Sequence, residues 1–70
     1  MSNTINTKFG KKVKEIRQKR GMTQEELAEK TATSYKYIQR IEGKTPPDIR
    51  LSTVERIAKS LQIKLSKLLD

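Results

Sequence analysis

Seventy residues and 8.1 kDa leave room for one small domain. The chain has no cysteine and no histidine, which excludes disulfides, thiolate or imidazole metal sites, and Ser-His or Cys-His catalysis. A net charge of +8 implies a polyanionic partner.

Residues 1–7 read as a flexible arm and residues 8–70 as one domain. Residues 1–20 carry a net charge of +6, residues 21–43 carry −1 and residues 44–70 carry +3. Periodicity predicts a first helix over 8–20. There Phe9, Val13 and Ile16 fall within about 80° of arc, and Lys and Arg fill most of the remaining surface. Gly21 follows, suited to the left-handed residue that ends a helix.

Thr23 and Glu26 have capping-box spacing, with Met22 and Leu27 placed as a hydrophobic staple. A second helix is expected from Thr23 or Gln24 to about Thr31, with Leu27, Ala28 and Thr31 inward. After Ala32-Thr33, Ser34 can cap a third helix over 35–42. Tyr37, Ile38 and Ile41 share one of its faces, and Tyr35, Lys36, Gln39 and Arg40 the other. Gly43 is expected to stop it. Lys44–Asp48, with Pro46-Pro47, reads as a loop. Leu51, Val54, Ile57, Ala58 and Leu61 define the inner face of a fourth helix at about 51–61, and Leu65, Leu68 and Leu69 a short fifth at 65–69. No useful strand alternation is present, so the fold class is all-α: a compact five-helix domain.

The three glycines are isolated, so there is no phosphate-cradling loop. Glu25 and Glu26 are adjacent and diverge by about 100° on a helix, so they suit the positive end of the helix dipole better than shared catalysis. The sequence therefore speaks against an enzyme, and implies neither cofactor nor metal. The outer face of the third helix is more informative. Lys36 and Arg40 lie one turn apart; such residues can bond guanine O6 and N7, and Gln39 can bond adenine. Alone, this is the ordinary solvated face of a surface helix. A capped helix, a short turn and a second short helix with a polar face together have the layout of a helix-turn-helix. Gln24, at the first helical position, has an amide N–H that a phosphate can accept.

Residues 9–69 resemble the phage Cro and repressor-type helix-turn-helix family, the Xre family. The resemblance rests on Arg20-Gly21-Met22-Thr23-Gln24-Glu25-Glu26-Leu27-Ala28-Glu29-Lys30, on Ser34-Tyr35-Lys36-Tyr37-Ile38-Gln39-Arg40-Ile41-Glu42-Gly43, and on Thr53–Leu61. It implies an operator-binding domain, usually dimeric on a near-palindrome. By position, Thr23 and Gln24 would hold phosphate. Ser34, Tyr35, Lys36 and Arg40 would face bases or their flanking phosphates, with Lys44 in the loop beyond. Arg17 and Glu42 would form a partly buried ion pair. Two departures stand out. Glu42 meets Gly43 directly where the family usually has one more residue. Arg50, a poor N-cap, takes the usual capping position before the fourth helix, leaving Asp48 or loop backbone as the alternative cap.

These readings give a sequence-specific, double-stranded-DNA-binding transcriptional regulator, a repressor or an autoregulatory controller. The alternative is an antitoxin-type module whose main partner is a toxin. Homodimerisation is expected through Leu65, Leu68 and Leu69, because a chain this small has no disulfide or metal to support it. The longest apolar run is two residues and the start is polar, so no membrane segment or signal peptide is expected, and the cytoplasm is the default compartment.

Overall fold

Five helices follow one another: α1 (Thr4–Lys19), α2 (Gln24–Lys30), α3 (Tyr35–Ile41), α4 (Leu51–Ser60) and α5 (Leu65–Leu69). This computed structural model describes residues 4–69, and among them no strand occurs. The class is all-α, as the periodicity predicts.

Three of the four interhelical connections use the same stop. After α1, the Gly21 N–H donates to the Gln18 carbonyl and the Met22 N–H to the Arg17 carbonyl. After α2, Ala32 and Thr33 donate to Glu29 and Ala28; after α4, Gln62 and Ile63 donate to Lys59 and Ala58. This paired pattern is the Schellman motif, which turns the chain through one left-handed residue. Those residues are Gly21 (φ 67°), Ala32 (φ 56°) and Gln62 (φ 57°). Only the first is glycine, so Ala32 and Gln62 hold a conformation that a Cβ disfavours.

The helix starts differ among themselves. Thr23 and Glu26 complete the capping box at α2, and the Ser34 hydroxyl accepts the Tyr37 N–H at α3. Arg50 precedes α4 without a side-chain cap, as expected of arginine. The first helix begins at Thr4, four residues before the predicted start. Residues 4–7, assigned above to a flexible arm, are therefore helical, and residues 1–3 lie outside the described residues. A distant tie accompanies the extra turn: Asn6 Nδ2 donates to the Pro47 carbonyl at 3.2 Å and to Asp48 Oδ1 at 3.1 Å.

Phe9 and Val13 of α1, Leu27 and Ala28 of α2, Ile38 and Ile41 of α3, and Val54, Ile57 and Ala58 of α4 meet in one core with Leu61 and Leu68. Burying each large aliphatic side chain contributes about 1.5–3 kcal/mol before entropy is counted. A Cβ on Gly10 would overlap the Ile41 carbonyl oxygen. Glycine there lets α1 pass backbone-to-backbone over the end of α3, which fixes α1 relative to the outer face of α3.

Two expected apolar positions fall elsewhere. Leu51, placed inward by the helical wheel, is 63% exposed, although Thr53 and Val54 of the same turn are buried: the first residue of α4 lies at the edge of the core. Of the proposed dimer stripe, Leu68 is 1% exposed and closes the core of its own chain, so it is not available to a partner. Leu65 is half-buried and packs on the same core, and Leu69 is 56% exposed.

Candidate nucleic-acid interface

The outward face of α3 is built by what lies beneath it. Ile38 and Ile41 are buried and Tyr37 half-buried, so Tyr35, Lys36, Gln39 and Arg40 emerge on the other side and all four are exposed. Lys36 and Arg40 sit one turn apart with Gln39 between them, and a B-DNA major groove is wide enough to admit such a helix. Ser34, also exposed, spends its hydroxyl oxygen on the Tyr37 amide. Its remaining O–H is a donor at the leading edge of α3.

The start of α2 stands beside the start of α3. Thr23, Gln24 and Tyr35 line one open recess of about 410 Å³, together with Gln18 and Gly21. Gln24 occupies the first position of α2, where the backbone N–H has no intrahelical acceptor and the dipole is positive. The Thr23 hydroxyl accepts the Glu26 N–H at 3.0 Å, and Glu26 Oε1 accepts the Thr23 N–H at 2.9 Å. Those bonds, led by the one from the Thr23 backbone, hold the Glu26 carboxyl below its ordinary value. The ionised carboxylate is the form that accepts the Thr23 N–H and completes the cap.

A charged network connects α1 to both helices. Arg17 Nε meets Glu42 Oε2 at 2.8 Å and Arg17 Nη2 meets Glu42 Oε1 at 2.9 Å, a two-bond fork. The third arm, Nη1, donates to the Met22 carbonyl at 2.7 Å. Gln24 Nε2 completes the network by donating to Glu42 Oε1 at 3.0 Å. One guanidinium thereby fixes the α1–α2 turn and the end of α3. The same carboxylate aims the side chain of the first α2 residue. Sequence reasoning paired Arg17 with Glu42 but missed Gln24 as a third member, since nothing local to residue 24 signals a partner eighteen positions on.

Lys44 lies apart from Thr23, Gln24 and Tyr35. It is exposed in the loop after α3 and lines a second recess with Thr7, Lys11, Lys14, Glu42 and Gly43. The α1 lysines there were read from sequence as solvated or near DNA, without a named contact.

A sequence model of the helix-turn-helix family matches residues 13–68, from mid-α1 into α5. The control protein C.BamHI of Bacillus amyloliquefaciens is 39% identical over 71 residues, covering 100% of this chain and 86% of that protein. The chain belongs to the Xre-type helix-turn-helix family. Family members of known structure superpose closely. The restriction-modification controller C.AhdI from Aeromonas hydrophila has a TM-score of 0.87 at 26% identity, covering 94% of this chain and 98% of its own. C.Esp1396I bound to a 19 base pair DNA duplex has a TM-score of 0.85 at 30% identity, covering 94% and 93%. SinR, the master regulator of biofilm formation, solved in complex with DNA, has a TM-score of 0.82 at 27% identity, covering 89% and 98%. The family is one of DNA-binding regulators, and these relatives lend nothing to the toxin-partner alternative. Among the described residues, no helix is long and apolar enough to cross a membrane.

Proposed function

We propose that this protein is a sequence-specific transcriptional regulator of the restriction-modification controller type. It acts in the cytoplasm as a homodimer on a near-palindromic operator. The observation that carries the reading is the outer face of α3. Four polar or aromatic side chains stand exposed there, flanked by the capped, positive start of α2.

In this reading α3 lies in the major groove. Lys36 and Arg40 reach guanine edges, Gln39 reaches adenine, and Ser34 and Tyr35 meet bases or the adjoining phosphates at its leading end. The backbone N–H and side chain of Gln24, beside Thr23, grip a phosphate from across the groove, and Lys44 another beyond the end of α3. Phosphate contacts supply most of the affinity and base contacts the selectivity. The buried Arg17–Glu42–Gln24 network keeps these grips in register. The dimer contact falls to Leu69, the exposed member of the C-terminal leucine stripe, with half-buried Leu65 behind it.

Selection of bound duplexes from a random pool tests this directly. The expected product is a near-palindrome whose half-sites lie about one helical turn apart, roughly 10–10.5 base pairs. A pool that shows no enrichment after repeated rounds contradicts sequence-specific binding.

A further inference from the structure

We infer that the middle of α1 is a second DNA-backbone clamp, in which Lys11 and Lys14 join Lys44 to hold phosphates flanking the site read by α3. This rests on the DNA-binding reading above and adds to it an element outside the helix-turn-helix.

Three observations carry the inference. First, Lys11, Lys14 and Lys44 come from distant parts of the sequence and line one recess of about 390 Å³ with Thr7 and Gly43. All three lysines are exposed. Second, the recess lies on the DNA side. Thr7, Lys11, Lys14 and Gln18 fall within about 60° of arc on α1, a single stripe about 16 Å long. Gln18, at the far end of that stripe, lines the other recess with Thr23, Gln24 and Tyr35. The lysines thus continue the surface on which Gln24 and Tyr35 lie. Third, the stripe is held rigidly against α3. Gly10 sits between Thr7 and Lys11 where α1 passes over the Ile41 carbonyl, and Asn6 is bonded to the loop at Pro47 and Asp48.

The negative groups nearby leave the recess basic. Glu42 lines it, but its side chain is only 2% exposed and its carboxylate is bonded to Arg17 and Gln24. Asp48 takes an N–H from Asn6, and Glu15 lies on the adjoining flank of α1, where it shares a recess with three lysines, Lys8, Lys11 and Lys12. The lysines of α1 and the loop lysine then act on the backbone together.

The test measures operator affinity against salt for the wild type and for Lys11→Gln/Lys14→Gln. A control, Lys30→Gln/Lys59→Gln, removes the same charge from a recess at the other end of α2. Each lost phosphate contact lowers the slope of log affinity against log salt by about 0.9, so the α1 double variant should lose about 1.8 per protomer. Its affinity for operator and for random duplex should fall by the same factor, leaving their ratio unchanged. Phosphate-ethylation interference should disappear at positions that Gln24→Ala does not affect, and the control should keep both slope and pattern. An unchanged slope in the α1 variant overturns the clamp, as does an equal loss in the control, which would mark a net-charge effect. Loss of the operator-to-random ratio in the α1 variant would place these lysines in base reading and also overturn it. The wild type's own operator-to-random ratio reports separately on the parent reading; without selectivity there, that reading fails first.

Discussion

Replacing Arg17 with methionine should come close to unfolding the protein. The Arg17 side chain is 9% exposed and that of Glu42 is 2% exposed. Three guanidinium bonds would be lost, two to Glu42 and one to the Met22 carbonyl. Glu42 would keep a single neutral donor, Gln24, for a carboxylate almost wholly out of water. Breaking one side of such a pair costs about 3–5 kcal/mol. A single core in a chain of this size supplies only about 3–5 kcal/mol in total. Arg17→Met should therefore be largely unfolded at room temperature, seen as lost ellipticity at 222 nm and a urea midpoint near zero. The double variant Arg17→Met/Glu42→Leu removes the stranded charge as well. Paired apolar replacements of buried ion pairs are often neutral or better, so the double variant should regain about 2 kcal/mol or more over the single. A single variant that loses less than about 1 kcal/mol, or a double no more stable than the single, would refute this account of the network.

Ala32→Gly should stabilise the chain by about 0.5–1 kcal/mol, since relief of a left-handed alanine exceeds the added chain entropy of glycine; a lower thermal midpoint would contradict the strain assigned there. Glu26, whose carboxyl is held below its ordinary value of 4.5, contributes stability that is present above that value and lost as pH falls through its lowered one. Glu26→Gln keeps the capping geometry without the charge, so it should lose that contribution in the neutral region, flatten the acid limb below pH 4.5 and converge with wild type in acid, by urea titration at each pH. Leu69→Glu should give a folded monomer by sedimentation, with weakened operator binding, whereas Leu68→Glu should fail to fold. A dimeric Leu69→Glu at micromolar concentration would remove Leu69 from the interface.

What the sequence revealed follows the range over which each signal acts. The Thr23–Glu26 box, the Gly21 stop and the two faces of α3 are set by neighbours within one or two turns, and all stand where periodicity and capping chemistry put them. The start of α1 was hidden. Its extra turn carries only the exposed Ile5 as a large apolar residue, and its visible anchor, Asn6 to Pro47 and Asp48, spans more than forty positions. The wheel that placed Leu51 inward knows angle but not depth, so it could not show that the first residue of α4 falls at the edge of the core while Thr53 and Val54 go in. The same limit governs the C-terminal leucines: Leu68 and Leu69 are adjacent, yet one seals the core and the other faces out. At the candidate site the α3 residues were readable because one helix presents them. The meeting of Lys11 and Lys14 with Lys44 was not, because packing around Gly10 and the bonds from Asn6 to Pro47 and Asp48, both long-range, bring α1 to that loop.

In the proposed complex α3 reads bases while the start of α2 grips the backbone. Comparing the sequence preference of Arg40→Ala and Gln24→Ala with wild type, on one randomised operator pool, separates the two roles. Arg40→Ala should relax preference at one position of each half-site by about 1–3 kcal/mol. Gln24→Ala should weaken binding to every sequence alike and leave the preference profile intact. An Arg40→Ala protein with the wild-type profile at every position would contradict the claim.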